Sequence, residues 1–256
     1  MTAAPPMLLI LQYDGGAFAG WQRQKADRTV QADLESALQH LVGQRTPVTG
    51  AGRTDAGVHA LGQAAAAAVP AKWRATDLVR ALNALLPSDI HVTDACRMRP
   101  GFNPRRDATE RTYCYRIGLD PGAHTPFRLR WEWAMSPPFD ALRAEQAAGL
   151  VLGVHDFRAL SAVGQVKAHY RCDVREALWL PRPDGAGWEF WISADRYLHR
   201  MVRFLVGTMV EIARHRRPVS DLQALLSSHD NQAASKPAPA EGLFLVSVRY
   251  PSECYA

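Results

Sequence analysis

Apolar residues recur at helical spacing in four segments of the chain, which predicts four amphipathic helices. Thr29 can cap the first of these helices, and Gly43 follows its last turn. The expected helices cover residues 30–42, 76–86, 139–152 and 198–214. A basic stripe at spacings of four and three residues is expected along the last helix, formed by Arg196, Arg200 and Arg203.

Short segments bounded by turn residues predict the strands. They cover residues 7–13, a short stretch near 48, and residues 63–69, 90–96, 111–117, 174–180, 188–194 and 243–250. Alternation along 111–117 places four side chains on one face, those of Arg111, Tyr113, Tyr115 and Ile117. Because both halves of the chain mix strands with two helices, the sequence predicts an α+β protein of two related lobes.

A stretch rich in proline, glycine and arginine, residues 100–106, is the expected boundary between the lobes. The first lobe then covers residues 1–104, and the second covers residues 105–256.

Composition favours a folded protein of the cytoplasm. A chain of 256 residues that is 47% hydrophobic and 21% charged can bury a substantial core. No apolar run approaches the roughly 20 residues of a membrane helix, and residues 7–11 are too short a run for a secretory signal. The four cysteines lie far apart, which argues against a zinc site or a disulfide framework and for a reducing compartment.

The charge distribution indicates a polyanionic partner. The net charge is +5, and 26 of the 30 basic residues are arginine, which recognises phosphate with two parallel hydrogen bonds. Residues 97–130 contain eight arginines and residues 196–217 contain six, with few acidic residues near them. Nucleic acid is the expected partner, although a genome rich in arginine codons would give the same composition.

The loop at residues 52–60 carries the strongest candidate chemistry. Asp55 is flanked by glycines, with Arg53 before it and His59 after it. Glycine lets the backbone adopt unusual conformations and lets a ligand approach closely, so the carboxylate can be directed into a cleft. A neighbouring arginine keeps a carboxylate ionised at neutral pH, as a nucleophile or general base requires.

Other interpretations of this loop have different requirements. A phosphate-binding P-loop needs a lysine that the segment lacks, and a dinucleotide fingerprint needs glycine where Asp55 stands. Asp55 and His59 could form a metal pair, but no third ligand is evident in the sequence. Asp55 could also be a structural residue that caps a turn, and this alternative stays open.

Tyr113 is the second candidate. A tyrosine on a strand can stack on a nucleic-acid base and also offer a hydroxyl group. The alternative is that its ring is half-buried and serves packing.

Motifs along almost the whole chain resemble those of one family. They are Tyr13-Asp14-Gly15, Gly20-Trp21-Gln22-Arg23-Gln24, Thr29-Val30-Gln31, the loop 52–63, Leu86-Pro87, the strand 111–117, Gly153-Val154-His155-Asp156-Phe157, Met201-Val202-Arg203, Val206-Gly207-Thr208 and Glu241-Gly242-Leu243. In this order and spacing they resemble tRNA pseudouridine synthases of the A type, which modify the anticodon stem-loop. Tyr197 departs from the pattern, since phenylalanine is usual at that position.

The resemblance implies a pseudouridine synthase-like α+β fold. Its two lobes would contain antiparallel or mixed sheets flanked by helices, with a central cleft. The implied reaction is an isomerisation without metal or cofactor, in which uracil is detached from its ribose, rotated and rejoined through carbon. The implied substrate is tRNA at positions 38–40 of the anticodon stem-loop, and a homodimer is the family expectation.

The resemblance also assigns expected roles to five residues. Asp55 falls on the catalytic aspartate, and Tyr113 on the tyrosine that stacks on the target base. Arg203 falls on the basic residue expected to pair with the catalytic carboxylate. Arg53 would contact RNA, and Leu243 would line the pocket. Whether Asp55 attacks the ribose or the uracil ring stays open.

Two other classes of function would also use arginine clusters. An RNA-binding protein without chemistry would bind RNA in a salt-sensitive way, but it would have no need for a carboxylate that repels phosphates. A metal-dependent hydrolase of nucleic acid would lose its activity in EDTA.

Overall fold

The structure is a computed structural model that describes residues 5–162, 169–228 and 230–256. Its strands are β1 (Met7–Tyr13), β2 (Val48–Gly50), β3 (His59–Ala67), β4 (Ile90–Arg97), β5 (Glu110–Gly118), β6 (Trp133–Ala134), β7 (Gly153–Asp156), β8 (Arg171–Pro181), β9 (Gly187–Ala194) and β10 (Leu243–Arg249). Its α-helices are α1 (Val30–Val42), α2 (Ala75–Leu85), α3 (Ala141–Gly149), α4 (Met201–Ala213) and α5 (Ser220–Ser227). This mixture of elements confirms the predicted α+β class.

Contacts divide the chain into two compact units. The first consists of the residues up to Arg111 together with Phe244–Ala256, and the second consists of Thr112–Leu243. The lobe boundary expected between residues 104 and 105 stays a prediction.

In the first unit the strand order is β4-β1-β3-β10, and β2 also pairs with β3. β1 is antiparallel to β3 and β4, whereas β3 and β10 are parallel. The alanines of β3 have helical propensity, but β1 and β2 pair with them from both sides and satisfy their backbone groups. The strand predicted in this alanine-rich region is confirmed, and it begins earlier, at His59.

Helix α1 begins and ends where local sequence signals predict. Thr29 Oγ1 accepts a hydrogen bond from the Ala32 N–H at 3.4 Å, and Gly43 ends the helix with a left-handed φ of 80°. Leu34 and Leu38 on its apolar face are buried. The prediction for this helix is therefore confirmed.

In the second unit the strand order is β5-β9-β8-β7, and β6 pairs with β5. β8 and β9 form the predicted antiparallel hairpin, in which the buried Trp179 lies opposite the buried Phe190. α3 packs against α4 and β8. The residues of α4 that are not buried are Arg203 and Glu211, which are also the two charged residues of this helix.

The basic stripe predicted along α4 is wrong, because the helix begins only at Met201. Arg200 has a left-handed φ of 60°, and Arg196 lies further upstream. The Ala162 N–H donates a hydrogen bond to the His199 carbonyl at 2.9 Å, so the backbone at His199 pairs with another segment instead of forming a helical hydrogen bond. Arg203 alone of the three arginines is helical.

Helix α3 is shorter than predicted at both ends. It begins at Ala141, where Asp140 caps it by accepting a hydrogen bond from the Arg143 N–H at 3.2 Å, and it ends at Gly149. The short elements β6, β7 and α5 were not predicted. Across the described ranges, no helix is long and apolar enough to cross a membrane.

Candidate active site

Asp55 lies in the connection between β2 and β3. Side chains along this loop alternate in exposure: Arg53 is exposed, Thr54 is buried and Asp55 is partly exposed. The Val58 N–H donates to the Asp55 carbonyl at 3.2 Å, which closes a tight turn after the carboxylate. The backbone therefore directs Arg53 and Asp55 outward and Thr54 inward.

The buried side chain of Thr54 belongs to a hydrogen-bond network inside the first unit. Its Oγ1 lies 2.8 Å from the Tyr13 hydroxyl. Gln63 Nε2 donates to the Tyr13 hydroxyl at 3.4 Å and to the Gly52 carbonyl at 3.0 Å. Burial raises the pKa of Tyr13 to about 12, so the hydroxyl keeps its proton at neutral pH. These bonds connect the loop to β1 and β3.

The backbone of Thr54 is held from a second direction. The Trp21 N–H donates to the Thr54 carbonyl at 3.1 Å. Gly20, with a φ of 100°, lies so close that a Cβ there would be 2.7 Å from the Thr54 carbonyl oxygen. The peptide that leads into Asp55 is thus fixed by both its side-chain and its main-chain contacts.

His59 is a buried structural residue of this region. Its Nδ1 accepts a hydrogen bond from the Gly15 N–H at 3.0 Å, and its ring stacks on Phe244 with centroids 4.8 Å apart. Asp14 Oδ1 is 3.2 Å from the same nitrogen and accepts a hydrogen bond from the Gly16 N–H. Because the backbone N–H of Gly15 can only donate, His59 Nδ1 is the acceptor in its contact with Gly15. No cluster of three or more potential metal-ligating side chains occurs among the residues that the structure describes.

In the second unit, Tyr113 on β5 is 8% exposed. Its ring meets the Tyr197 ring edge-on, with centroids 4.9 Å apart and an interplanar angle of 81°. The Tyr197 hydroxyl donates to the Ile192 carbonyl at 2.9 Å, which anchors that ring to β9. The contact defines the orientation of the Tyr113 ring.

Arg203 on α4 is linked to the segment that leads to β10. Its Nε donates to the Ala238 carbonyl at 2.7 Å, and the Ala238 N–H donates back to the Arg203 carbonyl at 2.8 Å. The Tyr115 hydroxyl donates to the Pro239 carbonyl at 2.9 Å. Burial raises the pKa of Tyr115, and the positive charge of Arg203 acts in the opposite direction.

Leu243 stands at the end of this held segment. It is 5% exposed, and its N–H donates to the Ala240 carbonyl at 2.9 Å. The structure therefore connects Arg203 and Leu243, which sequence reasoning named separately, through residues 238–243.

The predicted site residues are distributed over both units. Arg53 and Asp55 belong to the first unit, whereas Tyr113, Arg203 and Leu243 belong to the second. Sequence reasoning missed the side chains that hold them, namely Tyr13, Thr54, Gln63, Tyr115 and Tyr197. A signal existed in part, because Tyr13 and Gln63 are polar residues within strands that are otherwise largely apolar.

Some arginines of the predicted basic clusters have structural partners. Arg97 donates to four backbone carbonyls, those of Pro5, Val69, Pro70 and Trp73. Arg111 is buried and donates to three, those of Ala51, Arg105 and Ala108. Arg105 and Arg106 have exposed side chains that can contact a polyanion, and Arg106 Nε also lies 3.5 Å from Asp107 Oδ1.

Known proteins that are similar to this chain over most of its length share one name. A family profile described as tRNA pseudouridine synthase matches residues 9–100 and 147–251. A tRNA pseudouridine synthase A of Myxococcus xanthus is 37% identical over 246 residues, covering 96% of this chain and 92% of that protein. The protein of the same name from Solidesulfovibrio magneticus is 41% identical over 251 residues, covering 94% of this chain and 90% of its own length. The one from Moorella thermoacetica is 36% identical over 248 residues, covering 96% of this chain and its own whole length. The chain therefore belongs to the tRNA pseudouridine synthase family, an isomerase family that acts on uridine.

Proposed function

We propose that this protein converts uridine to pseudouridine at positions 38–40 of the tRNA anticodon stem-loop, with Asp55 as the nucleophile. The observation that carries the proposal is the placement of Asp55. It is a partly exposed carboxylate that directly follows Thr54, whose hydroxyl and carbonyl are both hydrogen-bonded within the first unit. A carboxylate on a fixed backbone can meet a bound nucleotide without first being ordered.

The reaction needs a nucleophile and a site that retains the detached base. The bond between uracil and ribose breaks, the base turns, and a carbon of the ring rejoins the ribose. That carbon loses its hydrogen as a proton, and the ring nitrogen released from the ribose takes up a proton, so substrate and product have the same composition. An ionised carboxylate can supply the transient covalent bond. Attack of Asp55 on the ribose carbon and attack on the uracil ring both fit this requirement.

The residues proposed to bind the uracil base belong mainly to the second unit. We propose that Tyr113 stacks on the target base, with Tyr197 maintaining the orientation of its ring. Arg203 contributes a positive charge to substrate binding, and Leu243 provides an apolar surface for the base. Arg53, which is exposed beside Asp55, contacts the RNA backbone.

Binding must also offset the cost of extracting the target nucleotide. Flipping a base out of its stack costs a few kcal/mol. Exposed arginines such as Arg105 and Arg106 can supply phosphate contacts for this purpose. We further propose that the enzyme acts in the cytoplasm as a homodimer and needs neither metal nor cofactor.

The position assignment is tested with unmodified tRNA transcripts that carry uridine at positions 38, 39 and 40. We expect carbodiimide labelling after incubation to detect pseudouridine at these positions, with equal yield in the presence of EDTA. Pseudouridine at other positions only would contradict the position assignment. Salt-sensitive binding without any product would favour the RNA-binding protein without chemistry, and loss of activity in EDTA would contradict catalysis without metal.

The stacking role of Tyr113 is tested by Tyr113→Phe, which keeps the ring and its edge contact with Tyr197. We expect the tRNA dissociation constant to stay within about twofold of the wild type. Tyr113→Leu, which removes the aromatic face, should weaken binding roughly tenfold. Filter binding at constant salt measures both effects. A loss of affinity in the phenylalanine variant would show that the hydroxyl, not the ring, carries the binding role.

A further inference from the structure

The Tyr13 hydroxyl is the central polar group beneath the Asp55 loop. Tyr13 is 4% exposed, and its ring lies near the buried Trp21, with centroids 6.3 Å apart. Through Thr54 and through Gln63, this hydroxyl is connected to the loop at residues 54 and 52. These attachment points lie on either side of Arg53 and immediately before Asp55.

A buried hydroxyl in this position is not what packing alone would select. β1 is otherwise an apolar strand at its buried positions, and phenylalanine would fill nearly the same volume. Burying a hydroxyl costs free energy unless it is hydrogen-bonded, and a satisfied pair adds only modest net stability. A role in orienting its hydrogen-bond partners accounts for a hydroxyl at this position.

Its partner Thr54 transmits that geometry over a short distance. Consecutive Cα atoms are about 3.8 Å apart across a trans peptide, so a shift of Thr54 moves Asp55 with it. The Trp21 N–H fixes the Thr54 carbonyl, while the Tyr13 hydroxyl fixes its side chain. Together the two contacts define the rotation of the peptide that leads into Asp55.

We propose that Tyr13 is a positioning residue for the reaction: its hydroxyl fixes Thr54 and thereby the direction of the Asp55 carboxylate. This inference rests on the proposed role of Asp55 as the nucleophile. Gln63 belongs to the same hydrogen-bond network and holds the loop at a second point, the Gly52 carbonyl.

The same unit provides a matched comparison residue. Tyr250 is partly buried, packs edge-on against Phe102, and donates its hydroxyl to the Pro104 carbonyl at 2.9 Å. Loss of the Tyr250 hydroxyl removes a hydrogen bond of the same unit that does not involve Thr54. If Tyr13 is a positioning residue, the rate of catalysis falls when its hydroxyl is lost and not when the Tyr250 hydroxyl is lost.

The test measures single-turnover pseudouridine formation and tRNA affinity for Tyr13→Phe and Tyr250→Phe, below the unfolding temperature of both. For Tyr13→Phe we expect the rate constant to fall at least about tenfold, with the dissociation constant within about twofold of the wild type. For Tyr250→Phe neither quantity should change. An unchanged rate in Tyr13→Phe, or an equal loss in both variants, overturns the inference.

The single variants of Thr54 supply a second test that does not depend on the folding of the Tyr13 variant. Thr54→Ser keeps the hydroxyl and should retain the wild-type rate, whereas Thr54→Val removes it and should lose at least about tenfold. If Tyr13 acts through Thr54, combining Tyr13→Phe with Thr54→Val costs no more than the larger single loss. Equal rates in the two Thr54 variants, or additive losses in the double variant, overturn the inference.

Asp55→Asn, assayed in parallel, separates this inference from the function on which it rests. Loss of activity in Asp55→Asn together with an unchanged rate in Tyr13→Phe overturns the positioning role alone. Full activity in Asp55→Asn overturns the nucleophile assignment, and the positioning role with it.

Discussion

Replacing Asp55 with asparagine is expected to abolish pseudouridine formation while tRNA binding persists. Asparagine has nearly the same shape but carries no negative charge, so it cannot act as a carboxylate nucleophile. Loss of an enzyme's nucleophile typically lowers the rate at least about 10⁴-fold. The hydrogen bond from the Val58 N–H to the Asp55 carbonyl involves only backbone atoms, so the substitution leaves that turn contact in place.

The measurement is single-turnover pseudouridine formation, followed by carbodiimide labelling, together with filter binding of the same tRNA. Asp77→Asn is the matched control, since Asp77 is an exposed carboxylate of the same unit, paired with Arg80 at 3.3 Å. It removes the same charge without touching the loop, and its rate should equal that of the wild type. Binding by Asp55→Asn should stay within about twofold of the wild type.

Two outcomes would contradict the role of Asp55. Full activity of Asp55→Asn would exclude it as the nucleophile. Loss of activity together with a lower unfolding temperature and lost tRNA binding would favour the structural interpretation, in which the side chain of Asp55 supports the turn.

The parts of the fold that local chemistry determines could be predicted from the sequence. α1 illustrates this, because Thr29 and Gly43 act on backbone groups within one turn of themselves. The strand at 111–117 was predicted from its alternation, and β5 extends it by one residue at each end. Such signals need no knowledge of distant partners.

The start of α4 could not be predicted in the same way. The apolar periodicity continues upstream to Leu198, which is buried, so the pattern itself does not mark the true boundary. The left-handed conformation of Arg200 marks it, together with the bond from the Ala162 N–H to the His199 carbonyl. The second of these features depends on a residue that is distant in sequence.

The candidate site shows the same limit. The Asp55 loop could be predicted as a candidate site, because its glycines and its carboxylate lie within nine residues of one another in the sequence. The hydroxyl that supports the loop comes from Tyr13, which is 41 residues away from Thr54. Periodicity does not identify such a partner, since its role appears only when β1 and β3 pair.

Gly20→Ala is expected to impair both catalysis and stability, because the Asp55 loop lies directly against this glycine. Its φ of 100° is unfavourable for a residue with a side chain. The added Cβ would also lie 2.7 Å from the Thr54 carbonyl oxygen and 3.1 Å from the Asp55 carbonyl carbon. These are backbone atoms, so the loop itself must shift to relieve the contact.

Gly43→Ala separates the two costs of that substitution. Gly43 has a similar left-handed φ of 80°, but an added Cβ would meet nothing within 4 Å. Backbone strain alone should lower its unfolding free energy by about 1–2 kcal/mol, with the rate unchanged. Gly20→Ala adds steric overlap of about 1–3 kcal/mol to that strain. A displacement of the carboxylate by about 1 Å should lower its single-turnover rate about a hundredfold.

Denaturant unfolding and single-turnover kinetics on the two glycine variants decide whether the position of the loop matters for catalysis. A lower rate in Gly20→Ala alone, under conditions in which both variants are fully folded, supports a carboxylate whose exact direction is required. Equal rates in both variants would mean that the loop tolerates displacement, and Asp55 would then act without the fixed geometry that its surroundings impose. The added Cβ meets the Thr54 carbonyl rather than its hydroxyl, so Gly20→Ala displaces the loop without removing any hydrogen-bonding group of the Tyr13 network.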